Sequence, residues 1–343
     1  MFAKRTLMLL LCLMMLSGCE SGTVPKETAH VSEGSIRKDT HLAFVADEKE
    51  RTIRLGFSQL GSESRWREAN TSSIQNAARQ AGIELLFSDA QQKQENQIQA
   101  IRDFIADKVD VIAFSPVVES GWDAVLQEAK DAGIPVIVTD RSVDVSDTSL
   151  YVTLLGSNFV EEGRKAAKYL LDKMKNVKGQ IHVVELQGTT NSAPALDRKK
   201  GFEEVIKENV NMKIAASESG NFTREEGKTA MQHILKQYGR DIQVLFAHND
   251  DMAFGAMEAM EEVGLKPGKD IVIVSVDGGK VAFQAMLDGK LNCTVECNPL
   301  LGPMLMQAVK ELISGRNLPK RIVVREGVFT QGVAAREIDK RKY

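Results

Sequence analysis

Short apolar runs alternate with amphipathic segments along most of this chain, and this alternation constrains the fold more than any other feature. The first apolar runs cover 53–57, 83–88, 109–116 and 134–140, and segments with apolar residues at helical spacing separate them. A strand that helices cover on both sides buries both of its faces, so its sequence becomes a continuous apolar run. The pattern therefore predicts an α/β fold built on parallel sheets.

A second series with the same alternation begins near Leu154, and its apolar runs cover 181–186, 212–217, 242–248 and 270–278. The 343 residues suit two domains at roughly 150 residues each. We therefore expect two similar lobes, each a doubly wound parallel sheet flanked by helices. The predicted N-terminal lobe comprises 51–154 plus 282–315, and the predicted C-terminal lobe comprises 155–281 plus 316–336.

The N-terminus carries a targeting pattern. Lys4 and Arg5 precede the apolar run 7–16, and Leu16-Ser17-Gly18-Cys19 follows. This order is typical of a secretory signal peptide and resembles the lipobox of bacterial lipoproteins, in which the cysteine is acylated after cleavage. We expect a signal peptide over 1–18, lipidation at Cys19 and a flexible tether over 19–50. The globular body would then work outside the cytoplasm, anchored on the outer face of the cell membrane or on its periplasmic side.

Several function classes are disfavoured by composition and motifs. The net charge of −3 gives no basic field that would attract nucleic acid. The sequence lacks the glycine-rich phosphate loops and the hydrolase motifs G-x-S-x-G and H-E-x-x-H. Cys293 and Cys297 form a single pair, which is a poor zinc pattern, and a disulfide between them would need a bend. We favour two small buried residues, and we expect no metal, no cofactor and no catalysis.

Polar side chains follow several apolar runs at the point where each predicted strand ends. Glu63, Trp66 and Arg67 lie beyond the first strand, Asp140-Arg141 end the fourth, and Asn249 and Asp277 follow two strands of the second series. Because carboxyl ends of parallel strands lie on one side of a sheet, these residues could line one crevice. Carboxylates accept hydrogen bonds from hydroxyl groups, guanidinium groups donate hydrogen bonds, and an indole can pack on the face of a sugar ring. This combination of groups suits a neutral polyol.

Structural alternatives remain open for most of these residues. Trp66 could pack against the core at a strand–helix junction, and Trp122 has the spacing of a core residue. Asp140 could cap a helix beside Arg141 in a surface ion pair. Asn249 precedes a predicted helix and could cap it.

Ordered motifs then identify a family resemblance, which extends from about 51 to 336. GFSQLGSESRWR, IPVIVTDRSVDV, LDRKKGF, AHNDDMAFGAMEAM and VSVDGG resemble the galactofuranose-binding branch of periplasmic sugar-binding proteins. These proteins serve ABC transporters of the ribose-binding type. The resemblance implies a type I periplasmic-binding-protein fold (a Venus flytrap), in which two lobes joined by three crossovers close on a sugar. It further implies a monomer whose partners are a monosaccharide and an ABC permease.

Motif by motif, the resemblance implies a set of sugar-binding residues: Glu63, Ser64, Arg65, Trp66, Arg67, Asp140, Arg141, Arg198, Asn249, Asp277 and Glu296. Arg65 stands where the family usually has glycine, and the segment 191–195 also departs from the family pattern. Both departures lie near the expected crevice, so the identity of the sugar is the property they put in doubt. Arg65 is the position at which we would look first for a difference in specificity.

The leading hypothesis is capture of a monosaccharide, galactofuranose or a related furanose or pentose, and its delivery to an ABC sugar permease. The alternative is a sugar sensor that signals to a membrane histidine kinase or chemoreceptor. A repressor of the lactose type shares the implied fold, but the N-terminus lacks a helix-turn-helix. A glycosidase could use Glu63 and Asp277 as paired carboxylates, but the surrounding residues match a binder.

Overall fold

The computed structural model describes residues 51–343. The predicted signal peptide 1–18, the tether 19–50 and Cys19 lie outside the described residues. In 51–343, two six-stranded sheets form the centres of two lobes. No helix of this part of the chain combines the length and the apolar character that crossing a membrane requires.

The first lobe starts with five strands and three helices that alternate as predicted. The strands are β1 (Arg54–Gln59), β2 (Glu84–Asp89), β3 (Val111–Phe114), β4 (Val136–Thr139) and β5 (Thr153–Gly156). The helices are α1 (Arg65–Ala81), α2 (Gln94–Ala106) and α3 (Asp123–Asp131). Ser64 caps the start of α1 by accepting a hydrogen bond from the Arg67 backbone, and Gly82 ends this helix in the left-handed conformation.

The second lobe repeats this arrangement with five strands and five helices. The strands are β6 (Ile181–Gln187), β7 (Met212–Ser219), β8 (Val244–Ala247), β9 (Val272–Asp277) and β10 (Cys293–Glu296). The helices are α4 (Phe159–Met174), α5 (Ala193–Ile206), α6 (Arg224–Tyr238), α7 (Asp250–Glu262) and α8 (Lys280–Leu287).

The last part of the chain completes both sheets. It forms α9 (Gly302–Ile313), β11 (Arg321–Val323), β12 (Val328–Thr330) and α10 (Gln331–Glu337). The strand order is β11-β5-β4-β3-β1-β2 in the first sheet and β12-β10-β9-β8-β6-β7 in the second. All pairings are parallel except β10 with β12, which is antiparallel. The predicted fold of two doubly wound, mainly parallel sheets is confirmed.

The chain crosses between the sheets three times, at 157–158, 297–301 and 324–327, and the second and third crossings lie well beyond the predicted boundaries. Segment 282–315 was predicted for the first lobe, yet β10 pairs with β9 in the second sheet, and the crossing follows at 297–301. Segment 316–336 was predicted for the second lobe, yet β11 pairs with β5 in the first sheet. Hydrogen-bonded pairing between strands distant in sequence decides this division, and local sequence pattern does not report it.

Each sheet packs apolar residues on both faces. In the first lobe, α1 and α9 cover one face and α2 and α3 cover the other. In the second lobe, α4 and α5 cover one face, and α6, α7 and α8 cover the other. Trp122 is fully buried against Phe114, as the core alternative predicted. This packing brings the carboxyl ends of strands from both sheets to a common crevice.

Candidate functional site

A cavity with about 300 Å³ of empty space, part of it open to solvent, lies between the lobes. Both lobes contribute to its wall, and nine of the eleven predicted site residues line it. These nine are Glu63, Ser64, Trp66, Arg67, Asp140, Arg141, Arg198, Asn249 and Asp277. The common position of polar residues at strand ends, rather than any single motif, explains why they converge.

Arg67 joins three strand ends in the first-lobe wall. Its Nη2 lies 2.8 Å from Asp140 Oδ2, and its Nη1 donates to Gln59 Oε1 and Ser115 Oγ, both at 3.3 Å. Burial lowers the pKa of Arg67, but Glu63 and Asp140 raise it by more, so the guanidinium stays charged. Asp140 and Arg141 are both buried, so the alternative of a surface ion pair at this position is wrong.

Glu63 and Arg141 offer free hydrogen-bonding atoms beside this network. Glu63 Oε1 accepts from Arg67 Nε at 3.1 Å and lies 3.5 Å from Arg141 Nη2. Glu63 Oε2 and Arg141 Nε are buried without a hydrogen-bond partner among the described residues. Burial and the nearby Arg67 lower the pKa of Arg141 to about 10, so it remains a cation at neutral pH. Glu63 Oε2 can therefore accept a hydrogen bond from a polar ligand, and Arg141 Nε can donate one to it.

Arg198 is the principal cation of the second-lobe wall. Its Nε donates to Glu162 Oε2 and its Nη1 to the His248 carbonyl, both at 2.7 Å. Burial lowers the pKa of Arg198, but Glu162 together with Cys297 and Asp277 raises it by more, so the net shift is upward. The guanidinium carbon lies 5.0 Å from the centre of the Phe159 ring. These contacts fix the side chain against α4 before any ligand arrives.

Asn249 caps α7, as its structural alternative predicted, and also lines the cavity. Its Oδ1 accepts from the Met252 backbone at 3.0 Å, and its Nδ2 donates to the Phe222 carbonyl at 2.9 Å. Phe222 adopts a left-handed conformation, with φ of 64°, and its ring lies 5.3 Å from the Arg141 guanidinium carbon. The cap therefore also positions an aromatic ring of the cavity.

Asp277 ends β9 in a strained conformation, with φ of 122°. Asp250 lies beside it and accepts from Ser275 Oγ at 2.5 Å and from the Gly278 backbone at 3.1 Å. Burial raises the pKa of Asp250 to about 7 and, together with Asp250, raises the pKa of Asp277 well above its usual range. Asp277 accepts only a long bond of 3.4 Å from the Asp250 backbone, so its carboxyl group keeps capacity for a ligand hydroxyl.

Trp66 packs against apolar residues of the second lobe and also lines the cavity. Its indole N–H donates to the Cys297 carbonyl at 2.6 Å, and the Arg67 guanidinium carbon lies 4.7 Å from its ring centre. The predicted packing and the predicted place at the site are therefore compatible. A residue of α1 also reaches the segment that crosses between the lobes.

Arg65 and Glu296 lie outside the cavity. The Arg65 side chain is 59% exposed, and its backbone N–H donates to Asp251 Oδ2 at 2.9 Å. Glu296 accepts from the Gly327 backbone at 3.0 Å and from Arg341 Nη1 at 2.8 Å. The family motifs predict both residues as sugar contacts, but neither side chain lines the cavity between the lobes.

Four cavity residues were not predicted: Phe159, Pro194, Phe222 and Cys297. Phe159 and Phe222 follow strands β5 and β7, so the rule that found Asp140 would have found them if applied to apolar residues. Cys293 and Cys297 are buried, as predicted, and both are free thiols. Burial raises the pKa of both thiols, so they stay protonated.

In the part of the chain that the structure describes, hydrogen bonds from two backbone N–H groups join the lobes across the crevice. The first is the bond from Arg65 to Asp251, and the second runs from the Glu119 N–H to the Asn191 carbonyl at 3.2 Å. The structure is thus a closed form in which both lobes surround the cavity.

One cluster beside the cavity has the spacing of a metal site. Glu162, Cys297 and Glu326 each place a potential ligand atom within 4.8 Å of the others. Burial and Glu162 raise the pKa of Glu326 to about 9, so this carboxyl group is neutral at pH 7. Arg198 already donates to Glu162 at 2.7 Å. A neutral acid and a guanidinium group suit a hydrogen-bonded cluster better than a cation site.

The cavity combines three arginines and three acidic residues with the rings of Trp66, Phe159 and Phe222. Each arginine lies within 3.5 Å of a carboxyl oxygen, and this pairing disfavours a strongly charged ligand. The mixture of donors, acceptors and flat apolar faces suits a neutral polar ring. Fold and cavity together define a two-lobed α/β binding protein that encloses a small molecule.

Comparison with known proteins gives the family. A family model described as periplasmic binding protein domain matches residues 55–317, and the chain belongs to this family. The galactofuranose-binding protein YtfQ of Escherichia coli is 44% identical over 294 residues, covering 84% of this chain and 92% of the relative. The predicted resemblance to this branch is confirmed.

Two solved structures are similar throughout the described body. A protein from Mycobacterium smegmatis in complex with β-D-fucofuranose is 53% identical with a TM-score of 0.83, covering 85% of this chain and 96% of its own. The binding protein of the arabinose ABC transporter from Shewanella sp. ANA-3, bound to α- and β-L-arabinofuranose, is 48% identical with a TM-score of 0.81. The match covers 84% of this chain and 96% of that one.

Proposed function

We propose that this protein is an extracytoplasmic solute-binding lipoprotein that captures a monosaccharide in furanose form and delivers it to an ABC sugar permease. Galactofuranose or a related furanose or pentose is the expected ligand. The observation that carries the proposal is the cavity between the lobes, where Glu63 Oε2 and Arg141 Nε have no hydrogen-bond partner in 51–343. The names of the similar proteins, which specify galactofuranose, fucofuranose and arabinofuranose, support the choice of sugar class.

In this function the side chains bind and orient the sugar and perform no chemistry. Glu63 and Asp277 accept hydrogen bonds from the sugar hydroxyls, and Arg141 and Arg198 donate hydrogen bonds to the sugar oxygens. The aromatic rings pack against the apolar faces of the sugar. Glu63 lies between the guanidinium groups of Arg67 and Arg141, which suits a fixed acceptor better than a proton-transferring acid. The protein acts as a monomer, and closure of the lobes presents the loaded form to the permease.

Calorimetry with D-galactose, L-arabinose, D-fucose, D-ribose and methyl β-D-galactofuranoside tests ligand capture. We expect binding of at least one furanose-forming sugar. Arg141→Ala should weaken affinity by about 100-fold, because it removes a buried charged donor and leaves Glu63 without it. Arg102→Ala is the matched control, since its side chain is 48% exposed on the first lobe, and it should change affinity by less than about twofold. Absence of heat with every sugar would contradict the proposal.

Transport is tested with the ATPase and permease reconstituted in liposomes. The loaded protein should stimulate ATP hydrolysis, and the Arg141→Ala variant should not at the same sugar concentration. Sugar binding without stimulation of any permease encoded in the same genome would favour the sensing alternative.

The proposed anchor is tested by Cys19→Ser with Cys12→Ser as the matched control. Incorporation of radiolabelled palmitate should disappear in the first variant alone, because the resemblance to the lipobox places acylation on Cys19. Labelling of Cys19→Ser at the wild-type level would contradict the anchor.

A further inference from the structure

The three segments that cross between the lobes meet at one carboxyl group. Glu326 lies in the third crossing, between β11 and β12. Its Oε1 accepts from Ser157 Oγ of the first crossing at 2.5 Å and from the Asn298 backbone of the second crossing at 2.9 Å. Ser157 Oγ also lies 3.4 Å from Cys297 Sγ. A single side chain therefore ties all three strands of the hinge together.

The same carboxyl group lies against a buried residue that holds a cavity cation. Glu162 is fully buried, its Oε2 accepts from Arg198 Nε at 2.7 Å, and its Oε1 has no hydrogen-bond partner among the described residues. The clustered atoms of Glu162 and Glu326 lie within 4.8 Å of each other. Two carboxyl groups this close in a buried site cannot both be charged at low cost, and Glu326 is the one that keeps its proton at pH 7. A proton on Glu326 would donate to the unpartnered oxygen of Glu162.

We propose that Glu326 is a positioning residue for ligand binding, which in its neutral form holds the three crossings in the closed arrangement and, through Glu162, holds Arg198 in the cavity wall. Opening of the hinge separates the crossings and admits water to Glu326, whose carboxyl group then ionises more readily. Closure on a ligand therefore takes up a proton. This inference rests on the proposed sugar capture.

The charged and titratable groups around Glu326 favour this assignment. Glu162 of α4 and Cys297 of the second crossing are acidic neighbours, and burial and Glu162 raise the pKa of Glu326 to about 9. Three cations lie nearby: Lys165 Nζ donates to the Glu326 carbonyl at 2.9 Å, Arg321 donates to the Ser157 carbonyl, and Arg198 is taken up by Glu162. None of these cations donates a hydrogen bond to the Glu326 carboxyl group in the described part of the chain, so none forms a direct ion pair with it.

The test measures proton uptake on binding of D-galactose by titration calorimetry in buffers of different ionisation enthalpy at pH 7–9. The wild type should take up more protons than Glu326→Gln, whose amide mimics the neutral acid. The affinity of the wild type for D-galactose should fall by up to about tenfold per pH unit in this range, whereas the affinity of Glu326→Gln should depend less on pH. Glu128→Gln, whose side chain is 42% exposed, should match the wild type. Identical profiles for the wild type and Glu326→Gln would overturn the proposal.

A ligand-free measurement separates this proposal from the proposed function. A group whose pKa is raised in the folded state stabilises the protein at low pH, and this stability is lost as pH rises towards the folded pKa. The Tm of the wild type should therefore fall relative to Glu326→Gln between pH 5 and pH 9. Failure of all sugars to bind would count against sugar capture, whereas equal Tm profiles would count against the role of Glu326.

Should Glu326→Gln not fold, Ser157→Ala tests the same carboxyl group. Loss of the hydroxyl donor frees the first crossing, and dissociation of D-galactose should become roughly threefold to tenfold faster. An unchanged dissociation rate would overturn the proposal.

Discussion

At the scale of single residues, Asp277 combines features that favour binding at the expense of stability. Its backbone is strained, with φ of 122°, and its carboxyl group is buried beside Asp250. Burial and Asp250 raise its pKa well above the usual range, so ionisation of the Asp277 carboxyl group is unfavourable in the folded protein. Such a carboxyl group gains a partner only when a ligand hydroxyl approaches it, which is typical of a binding site.

We predict that Asp277→Asn weakens affinity for D-galactose by about 10-fold to 100-fold, since the amide replaces one carboxyl oxygen with an NH2 group that cannot accept a hydrogen bond. The ligand-free Tm at pH 7 should stay equal or rise. A carboxyl group with a raised folded pKa stabilises below about pH 4 and progressively destabilises above it, and the amide removes this cost. Calorimetry and thermal unfolding measure the two effects.

The control is Asp172→Asn, because the Asp172 side chain is 78% exposed. It should change neither quantity measurably. A lowered Tm with intact affinity for Asp277→Asn would assign this residue a structural role instead.

Sequence reasoning located Asp140, Asn249 and Asp277 because chain direction alone decides which end of a parallel strand they occupy. It did not locate Phe222, since an aromatic residue in a loop has the same pattern as a core residue until the left-handed backbone is known. Arg65 and Glu296 show the reverse case. Their motif positions were informative, but the Arg65 side chain is exposed and Glu296 pairs with Arg341, which lies far away in the sequence.

At the scale of elements, α4 and α5 approach each other through two glycines, and this approach places Arg198 beside Glu162. A Cβ atom on Gly201 would lie 2.0 Å from the Val160 carbonyl oxygen, and one on Gly163 would lie 2.1 Å from the Arg198 carbonyl oxygen. No side chain fits at either position unless the helices separate.

We predict that Gly201→Ala lowers the free energy of unfolding by about 1–3 kcal/mol, because α5 must move away from α4. The same movement should weaken affinity for D-galactose, since α5 carries Arg198. Gly332→Ala is the matched control in α10, where the nearest atom is a Thr330 hydroxyl at 3.9 Å. Urea unfolding followed by circular dichroism compares the two, and equal midpoints would contradict the packing argument.

The starts of α1 and α7 also face each other across the crevice, through the bond from the Arg65 N–H to Asp251. We predict that Asp251→Ala accelerates dissociation of D-galactose by about fivefold to tenfold, because a charge-assisted bond of the closed form is lost.

Arg65→Ala should change this rate by less than about twofold, since its side chain is exposed and lies 3.9 Å from Asp251. Stopped-flow measurements separate the two variants. If Arg65→Ala changed the dissociation rate as much as Asp251→Ala, the Arg65 side chain would have to contribute to ligand binding, contrary to its position outside the cavity.

Most elements were predictable because buried parallel strands and amphipathic helices have distinct periods. Strands β10 and β11 were the exception in their assignment to a lobe. They have only four and three residues, and β10 pairs with β9 and β12 while β11 pairs with β5, so pairing with other strands determines their place.

At the scale of the whole molecule, the described residues form a closed arrangement with contacts at the crevice mouth and at the hinge. Arg65 and Glu119 contact the opposite lobe at the mouth, and Glu326 ties the crossings behind it. The cavity lies between these two regions, so opening of the lobes must break the contacts between Arg65 and Asp251 and between Glu119 and Asn191. Affinity therefore depends on hinge and mouth residues as well as on those that touch the ligand.

Because Trp66 lies between the lobes, its fluorescence should differ between the sugar-free and the sugar-bound protein. The chain has two tryptophans. Trp122 is fully buried in the first lobe, so its emission should stay constant, whereas the Trp66 indole donates to the Cys297 carbonyl between the lobes. We predict that D-galactose shifts the emission maximum of the wild type and of Trp122→Phe, but not of Trp66→Phe. Fluorescence titration measures this, and a shift retained in Trp66→Phe would contradict it. An unlabelled sample could then report sugar concentration directly, as a biosensor.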